Sequence, residues 1–189
     1  MTTFKTVLLA AAATLAATSA HAATVWTQIT PQNHNLAVIN LNGIMERGDA
    51  TKIINEYYKL PKGEKIVVLL NSLGGDADTG INVGEVIHVI GANTMAFGAC
   101  ASSCSVAWLG GNRRMLLPGA SIGFHSTSVE INGVRVPSQL GNAQWASYLA
   151  ELGYGPQVAN YITATPPAGI TWLTPVNSKA LGINAEWLP

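Results

Sequence analysis

Three short segments of the sequence contain residue types that could carry out acyl transfer. The first covers residues 98–103 (GACASS), where small residues follow a strand-like stretch and precede an apolar, helix-like one. A serine at such a turn lies beside the unpaired amide groups that begin a helix. Preorganised amides of this kind can stabilise the oxyanion that forms during acyl transfer. The segment therefore predicts a nucleophilic serine, either Ser102 or, displaced by one residue, Ser103.

The other two segments contain candidates for a glycine loop that contacts the substrate and for a general base. Gly74 and Gly75 follow the branched apolar run at residues 66–70, and His125 ends the strand-like run at residues 120–124. Glycine allows a backbone N–H to come close to a substrate carbonyl, and histidine is the most frequent general base. Each feature has a purely structural alternative, a turn for the glycines and a strand-end histidine for His125. Their order along the chain favours a serine hydrolase.

Cys100 and Cys104 are the two cysteines of the chain and flank Ser102. In an oxidising compartment such a pair is more often bridged than free, although a helical i,i+4 spacing lies near the long end of disulfide geometry. We expect either a disulfide or tight packing to hold the turn, with redox chemistry as a weaker alternative. Two cysteines without a neighbouring histidine pair predict no metal site.

The N-terminus has the pattern of a secretory signal peptide. Lys5 is basic, residues 7–17 are apolar, and residues 20–22 (AHA) form a cleavage site. We predict that residues 1–22 are removed, so that the mature chain is a single domain, 23–189, exported to the periplasm or secreted. No later run is long enough to predict a membrane span. Ten basic and ten acidic residues balance, which argues against nucleic-acid binding.

The pattern of elements predicts an α/β fold with a mainly parallel sheet. Strands are expected at residues 36–41, 66–70, 93–97, 114–117, 121–124 and 184–188, with helices at residues 49–58, 76–91, 102–109, 139–152, 155–163 and 175–182. Asp76 or Asp78 is expected to cap the second helix. Asn132-Gly133 predicts a hairpin within residues 129–136. The long helix is predicted to have an apolar side, for the core or a subunit interface, formed by Leu140, Trp145, Tyr148, Leu149 and Leu152.

The ordered motifs resemble the Clp protease proteolytic subunit and its relatives in the crotonase-like superfamily, closest to exported Clp-like proteins with a Cys-x-Ser-x-Cys turn. The resemblance covers residues 36–125 well and residues 172–187 loosely. It implies repeated β-β-α units, cofactor-independent peptide cleavage through an acyl-enzyme, and a homo-oligomer. Matched by position, Ser102 is the nucleophile, His125 the general base, and the N–H groups of Gly75 and Ser103 the oxyanion hole.

One departure from the family pattern concerns the acidic third member. The matching position is close to Ile170, and no Asp or Glu occurs between Glu151 and Glu186. A histidine base needs an acceptor for its second N–H, so a backbone carbonyl or an amide oxygen, such as that of Asn160 or Asn177, would have to serve. The missing acid therefore leaves two alternatives, a slow Ser–His dyad enzyme and a catalytically inactive relative.

Three functions follow from these residues. The first is a serine peptidase that acts on peptides or unfolded protein segments. The second is a catalytically inactive peptide-binding or assembly protein on the same scaffold, suggested by the missing acid. The third is acyl-thioester chemistry, against which export argues. We expect no cofactor, and no partner ATPase in a compartment without ATP.

Overall fold

The computed structural model describes residues 21–29 and 36–189. Residues 1–20, most of the predicted signal peptide, lie outside the described residues, and its cleavage stays a prediction. The residues around the predicted cleavage point adjoin the fold: the carbonyl of His21 accepts a hydrogen bond from the amide of Ile44 at 2.9 Å, and the amide of Ala23 donates to the carbonyl of Ile44 at 2.7 Å. Within the described ranges, no helix has the length and apolar character needed to cross a membrane.

Strands and helices alternate along most of the chain. The strands are β1 (Thr24–Ile29), β2 (Leu36–Asn42), β3 (Lys65–Ser72), β4 (Asn93–Ala101), β5 (Arg114–Leu116), β6 (Ser121–Phe124), β7 (Ser128–Ile131), β8 (Val134–Pro137), β9 (Thr171–Trp172) and β10 (Glu186–Trp187). The helices are α1 (Asp49–Tyr57), α2 (Ala77–Val89), α3 (Ser103–Trp108), α4 (Gln139–Glu151), α5 (Pro156–Thr163) and α6 (Pro175–Leu181).

The main sheet is mostly parallel, as the sequence predicts. Its order is β1-β2-β3-β4-β5-β10, and β6 pairs with the far end of β4. Strand β3 pairs in parallel with β2 on one side and β4 on the other. Its apolar run is buried because neighbouring strands and helices cover it, which is the usual position of such a run in a parallel sheet. Strand β1, which the sequence did not indicate, adds an antiparallel edge.

Strand β4 is longer than the sequence predicts. The expected end at residue 97 is wrong, because the chain passes through Gly98 at φ 76° and continues to Ala101. Before the glycine, β4 pairs with β5; after it, Ala99 to Ala101 pair with Ser121 to Gly123 of β6. A side chain at Gly98 would meet Asn71 Oδ1 at 2.8 Å. The glycine thus lets one strand serve two partners, and it is the second pairing that brings β6 beside the turn at Ser102.

Helix α2 holds the start of α3 by close backbone contact. A side chain at Gly80 would lie 2.8 Å from the Cβ of Ser103, and one at Gly84 would lie 3.2 Å from the Cα of Ala107. Helix α4 packs against α2 beside α3, because a side chain at Gly84 would also meet the Tyr148 hydroxyl, and Trp145 Nε1 donates to the carbonyl of Ala77 at 3.3 Å. The predicted apolar side of α4 is partly wrong. Trp145, Tyr148 and Leu149 are buried, but Leu140 is exposed because it lies in the first turn, beyond the core.

The segment after β6 leaves the main sheet. Strands β7 and β8 form the predicted hairpin as a separate two-stranded sheet, and its base is closed by the amide of Ser138 donating to the carbonyl of Thr127 at 2.9 Å. The Asn142 side chain of α4 accepts from the amide of Thr127 at 2.8 Å. The chain then returns through the short strand β9, antiparallel to β6, another strand that the sequence did not indicate. Strand β9 therefore anchors the residues just before the predicted base, and α4 anchors those just after it.

Candidate active site

Ser102 occupies the turn between β4 and α3. Its backbone has φ 57° and ψ −127°, a sparsely populated conformation for a residue with a side chain, which costs about 1–3 kcal/mol. The Ser102 amide donates to the carbonyl of Gly123 at 3.0 Å, and its carbonyl accepts from Ser105 Oγ at 2.6 Å. The strained turn is therefore held on both sides. Ser103, the other candidate nucleophile, is fully buried, and its hydroxyl lies 3.8 Å from Met45 Sδ.

Gly74 lies directly against this turn, and Gly75, the next residue in sequence, lies against Met45. A side chain at Gly74 would come within 2.7 Å of the Cβ of Ser102 and 3.1 Å of the amide nitrogen of Ser103. Gly75, at φ 151°, is enclosed by Met45: the Met45 amide donates to the carbonyl of Gly74 at 2.9 Å, and the Met45 carbonyl accepts from the amide of Asp76 at 3.0 Å. A side chain at Gly75 would overlap the Met45 carbonyl oxygen. Only glycine fits here.

Met45 is a positioning residue that the sequence did not reveal, because it acts through its backbone. Its loop is fixed in turn by Asp49, a fully buried carboxylate that accepts from the amide of Glu46 at 2.8 Å and from Lys52 Nζ at 2.7 Å. Asp49 is the first residue of α1, after Gly48, and its carboxylate closes the loop ahead of the helix.

Asp76, one of the two residues predicted to cap α2, is its N-cap, and its carboxylate accepts a hydrogen bond from the amide of Thr79 at 2.8 Å.

The amides of Gly75 and Ser103 are both available. Within residues 21–29 and 36–189, neither N–H donates to a backbone or side-chain acceptor, although the groups around them are paired. Ser103 is the first residue of α3, where helical amides have no intrahelical partner. Backbone amides without a protein acceptor normally bind water or a ligand. Two such amides near Ser102 can hold an oxyanion.

His125 follows β6 and is held by a backbone carbonyl. Its Nδ1 lies 2.7 Å from the carbonyl oxygen of Ser126. Because a carbonyl oxygen only accepts, Nδ1 must carry the hydrogen in this contact, and neutral imidazole then has its lone pair on Nε2. That is the tautomer a general base requires. The Ser126 amide donates to the carbonyl of Thr165 at 2.8 Å, and Ser126 is 1 % exposed, so the accepting carbonyl is itself well anchored.

The sheet brings Ser102 and His125 to the same edge. Ala101 of β4 is paired with Gly123 of β6, so Ser102 lies one residue and His125 two residues beyond this pair, at the carboxyl ends of adjacent parallel strands. Both residues are partly exposed. In the described part of the chain, Ser102 Oγ and the His125 ring are not hydrogen-bonded to each other. Catalytic hydrogen bonds of this kind often tighten only when substrate binds.

The position of the missing acid lies opposite His125. Strand β9 pairs with β6 so that Thr171 faces Phe124, and one further step of this antiparallel register places Ile170 across from His125. Ile170 is 38 % exposed. Of the acceptors considered from the sequence, the backbone carbonyl is the one that the structure shows. Asn177 instead donates to the Tyr161 hydroxyl at 3.0 Å, and Asn160 forms no hydrogen bond with His125 among the described residues.

A disulfide joins Cys100 to Cys104 across the turn, with the two Cα atoms 5.3 Å apart. Both residues are fully buried. The long Cα–Cα separation expected for two cysteines at i and i+4 of one helix does not occur here, because Cys100 belongs to β4 and only Cys104 lies in α3. The reversal at Ser102 brings the two residues together.

Comparison with known proteins agrees with this architecture. The family model described as Clp protease matches residues 20–139. The chain belongs to the Clp protease family. Two solved structures share its fold at 18 % sequence identity. A mutant of ClpP1 from Listeria monocytogenes has a TM-score of 0.58, with 80 % of this chain and 90 % of that chain covered. The ClpP protease catalytic domain from Plasmodium falciparum has a TM-score of 0.59, with 82 % and 86 % covered. No curated protein matches the chain.

The resemblance seen in the sequence is therefore confirmed at the level of family and fold. The matched region of this Clp family member contains both glycines, Ser102 and His125, and it ends at residue 139, at the start of α4. The chain beyond that point, which includes Ile170, falls outside the family match. The departure from the family pattern is thus confined to the part of the chain that the family model does not cover.

Proposed function

We propose that this Clp family member is a serine peptidase that works with a Ser102–His125 dyad. The observation that carries the proposal is the Ser126 carbonyl on His125 Nδ1 at 2.7 Å. It selects the tautomer whose Nε2 can accept a proton, and it does so without a carboxylate. Family membership and the two free amides beside Ser102 support the same assignment.

In the proposed reaction, Ser102 Oγ attacks the carbonyl carbon of the scissile peptide bond while His125 Nε2 takes the hydroxyl proton. The resulting oxyanion accepts hydrogen bonds from the amides of Gly75 and Ser103. His125 then gives the proton to the leaving amine, and the C–N bond breaks to leave an acyl-enzyme. A water molecule repeats the sequence, with His125 again as base, and releases the acid and the Ser102 hydroxyl.

The carbonyl of Ser126 supplies only part of what a carboxylate supplies. It orients the ring and selects the tautomer, but as a neutral group it stabilises the imidazolium less than a charged acid would. In a serine protease with a full triad, replacing the acid so that the wrong tautomer forms lowers turnover by about 10⁴-fold. Because His125 is held in the right tautomer, we expect a slow enzyme that loses less than that.

The surroundings of the site support a peptide or an unfolded protein segment as substrate. Leu73 precedes the glycine pair and is 66 % exposed. Trp172 of β9 pairs with Gly123 and is 45 % exposed, and Ile170, just before β9, is 38 % exposed. Such apolar side chains around an acyl-transfer site suit an unfolded segment better than a compact protein surface. We further propose, from the signal-like N-terminus and the family, an exported homo-oligomer that works without cofactor or ATPase.

The test is labelling by a fluorophosphonate probe, which reacts with activated serines, at neutral to mildly alkaline pH. The wild-type protein is expected to be labelled, Ser102→Ala to lose all labelling, and His125→Ala to fall by about 10²–10⁴-fold. Ser103→Ala is the matched control and should still react, because its hydroxyl is buried. An unlabelled, folded wild type would overturn the proposal.

The alternative of an inactive peptide-binding or assembly protein is favoured by one observation, Ile170 across from His125. In that case Ser102→Ala would leave peptide binding unchanged, and neither protein would react with the probe. The labelling experiment therefore separates the two functions directly.

A further inference from the structure

The disulfide spans the strained turn and nothing else. Cys100 is a residue of β4, paired with Ile122 of β6 and with Ser72 of β3, so it belongs to the centre of the sheet. Cys104 is the second residue of α3. The S–S bond therefore closes a small ring that contains Ala101, Ser102 and Ser103. Its only direct covalent effect is on how α3 leaves the end of β4.

Hydrogen bonds hold Ser102 but leave the next peptide group less constrained. The amide and carbonyl of Ser102 are both paired, to Gly123 and to the first turn of α3. The amide of Ser103 is unpaired in the described part of the chain, so its direction is set by the orientation of α3. Helix α3 has only six residues, and Gly80 of α2 contacts its start through van der Waals packing. Hydrogen bonds from outside the helix hold its far end, where Thr94 Oγ1 donates to the carbonyl of Trp108 at 2.7 Å and Trp108 Nε1 donates to the carbonyl of Met115 at 3.2 Å. The covalent tie at Cys104 restrains the near end, beside the Ser103 amide.

We propose that the Cys100–Cys104 disulfide positions the nucleophile and the Ser103 oxyanion donor, so that the reactivity of Ser102 depends on the oxidised state of the pair. This inference rests on the proposed function for the rate at Ser102. The two cysteines are positioning residues, since neither touches the reacting atoms. The fully buried bond is protected from the solvent, and the chain has no third cysteine to exchange with it.

Opening the bond takes two electrons from an external dithiol. The dithiol breaks the S–S bond, each cysteine sulfur gains one electron and one proton, and the dithiol becomes its cyclic disulfide. We expect the reduced turn to keep its hydrogen bonds but to let the Ser103 amide move away from the oxyanion position. Misplacement of a catalytic group by about 1 Å costs about 10²-fold in rate, so the labelling rate should fall by about 10- to 100-fold.

The experiment compares four proteins by fluorophosphonate labelling rate: oxidised wild type, wild type refolded with dithiothreitol, the double variant Cys100→Ala/Cys104→Ala, and Ile39→Val. The last is the control for lost volume in the core, on β2 and away from the turn. Circular dichroism establishes that each is folded, and mass spectrometry counts the thiols. Slow labelling of both bond-free forms, with Ile39→Val unchanged, supports the proposal. Equal rates in folded oxidised and bond-free proteins overturn it.

Hydrogen–deuterium exchange on the same samples distinguishes this inference from the proposed function. If oxidised wild type does not label, the proposed function fails, and exchange alone decides the role of the disulfide. Faster exchange confined to residues 101–105 in the bond-free forms supports positioning, while unchanged exchange there overturns it. Loss of folding in both bond-free forms also overturns it, because the bond would then hold the whole domain rather than the turn.

Discussion

The nucleophile side and the base side of the proposed site are held by different kinds of contact. Around Ser102 the chain uses a disulfide, two glycines that admit no side chain, and backbone hydrogen bonds to β6 and α3. Around His125 it uses one hydrogen bond from the ring to the carbonyl of the next residue, with Ile170 across from it. The proposed oxyanion donors are thus held in place by many contacts, and the proposed general base by few.

From this difference we infer which step would limit the proposed reaction. An oxyanion hole acts through donors that are already in place, so its contribution survives without an acid. Proton transfer depends on stabilising the imidazolium, to which a neutral carbonyl contributes less than a carboxylate. We therefore expect changes on the nucleophile side to remove activity and changes on the base side to be able to raise it.

The largest effect should come from Gly75→Ala, which would break the nucleophile side. The added methyl group overlaps the Met45 carbonyl, so the glycine loop must shift and carry the Gly75 amide away from the oxyanion. Loss of one oxyanion donor costs about 10²–10³-fold, and we expect a fall of that size in the fluorophosphonate labelling rate.

The matched control for this variant is Gly119→Ala. Gly119 also has a positive φ, 79°, but no atom lies within 4 Å of an added Cβ. Gly119→Ala carries a backbone cost of about 1–2 kcal/mol in unfolding free energy, and denaturant titration shows whether Gly75→Ala, with its added overlap, is still folded. Only Gly75→Ala should lose reactivity, and equal labelling of the two would show that the Gly75 amide is not a donor.

A smaller effect, of opposite sign, should come from Ile170→Asp on the base side. The register of β9 places a carboxylate there beside His125, and Ile170 is exposed enough for the charge to stay partly hydrated. A neighbouring negative charge stabilises the imidazolium, so we expect the labelling rate to rise by about tenfold. The neutral variant Ile170→Asn should not raise it. If both variants leave the labelling rate unchanged, proton transfer to His125 does not limit the reaction.

The smallest effect should come from an ion pair that lies outside both the nucleophile side and the base side. The guanidinium of Arg113 donates to Glu186 in β10, with Arg113 Nε 2.9 Å from Glu186 Oε1, and these hydrogen bonds hold the pKa of Glu186 below its usual range. Because its pKa is lower in the folded protein, the Glu186 carboxylate stabilises the fold at pH values above its pKa in the unfolded chain. This stabilisation is lost as the pH falls through its pKa in the folded protein. Glu186→Gln should lower Tm slightly at neutral pH, and the difference from wild type should vanish in acid.

The labelling rate of Glu186→Gln should equal that of wild type, since β10 pairs with β5, away from the site. Because the ion pair is exposed, salt should also reduce the Tm difference. A Tm difference that persists in acid would assign the effect to side-chain packing instead of charge.

Much of the fold was predictable because its signals are local. The branched run at residues 66–70 predicted a central parallel strand, and Asn132-Gly133 predicted the hairpin; both are confirmed. The errors have physical causes. Strand β4 continues beyond its predicted end because Gly98 adopts a positive φ. Leu140 was predicted on the apolar side of α4, but the first turn of that helix lies beyond the core. Strand β9 has two residues, too few to show the alternation of apolar and polar residues by which a strand is predicted.

The sequence by itself determined the order of the chemistry-bearing residues: a glycine pair, a serine between two cysteines, a histidine, and no acid near Ile170. The tertiary structure alone decided how they are supported. Met45 encloses Gly75, the Ser126 carbonyl orients His125, and the amides of Gly75 and Ser103 are left unpaired among the described residues. All three depend on backbone groups. Every residue has a carbonyl and all but proline an N–H, so no pattern of side chains could have indicated which of them would meet.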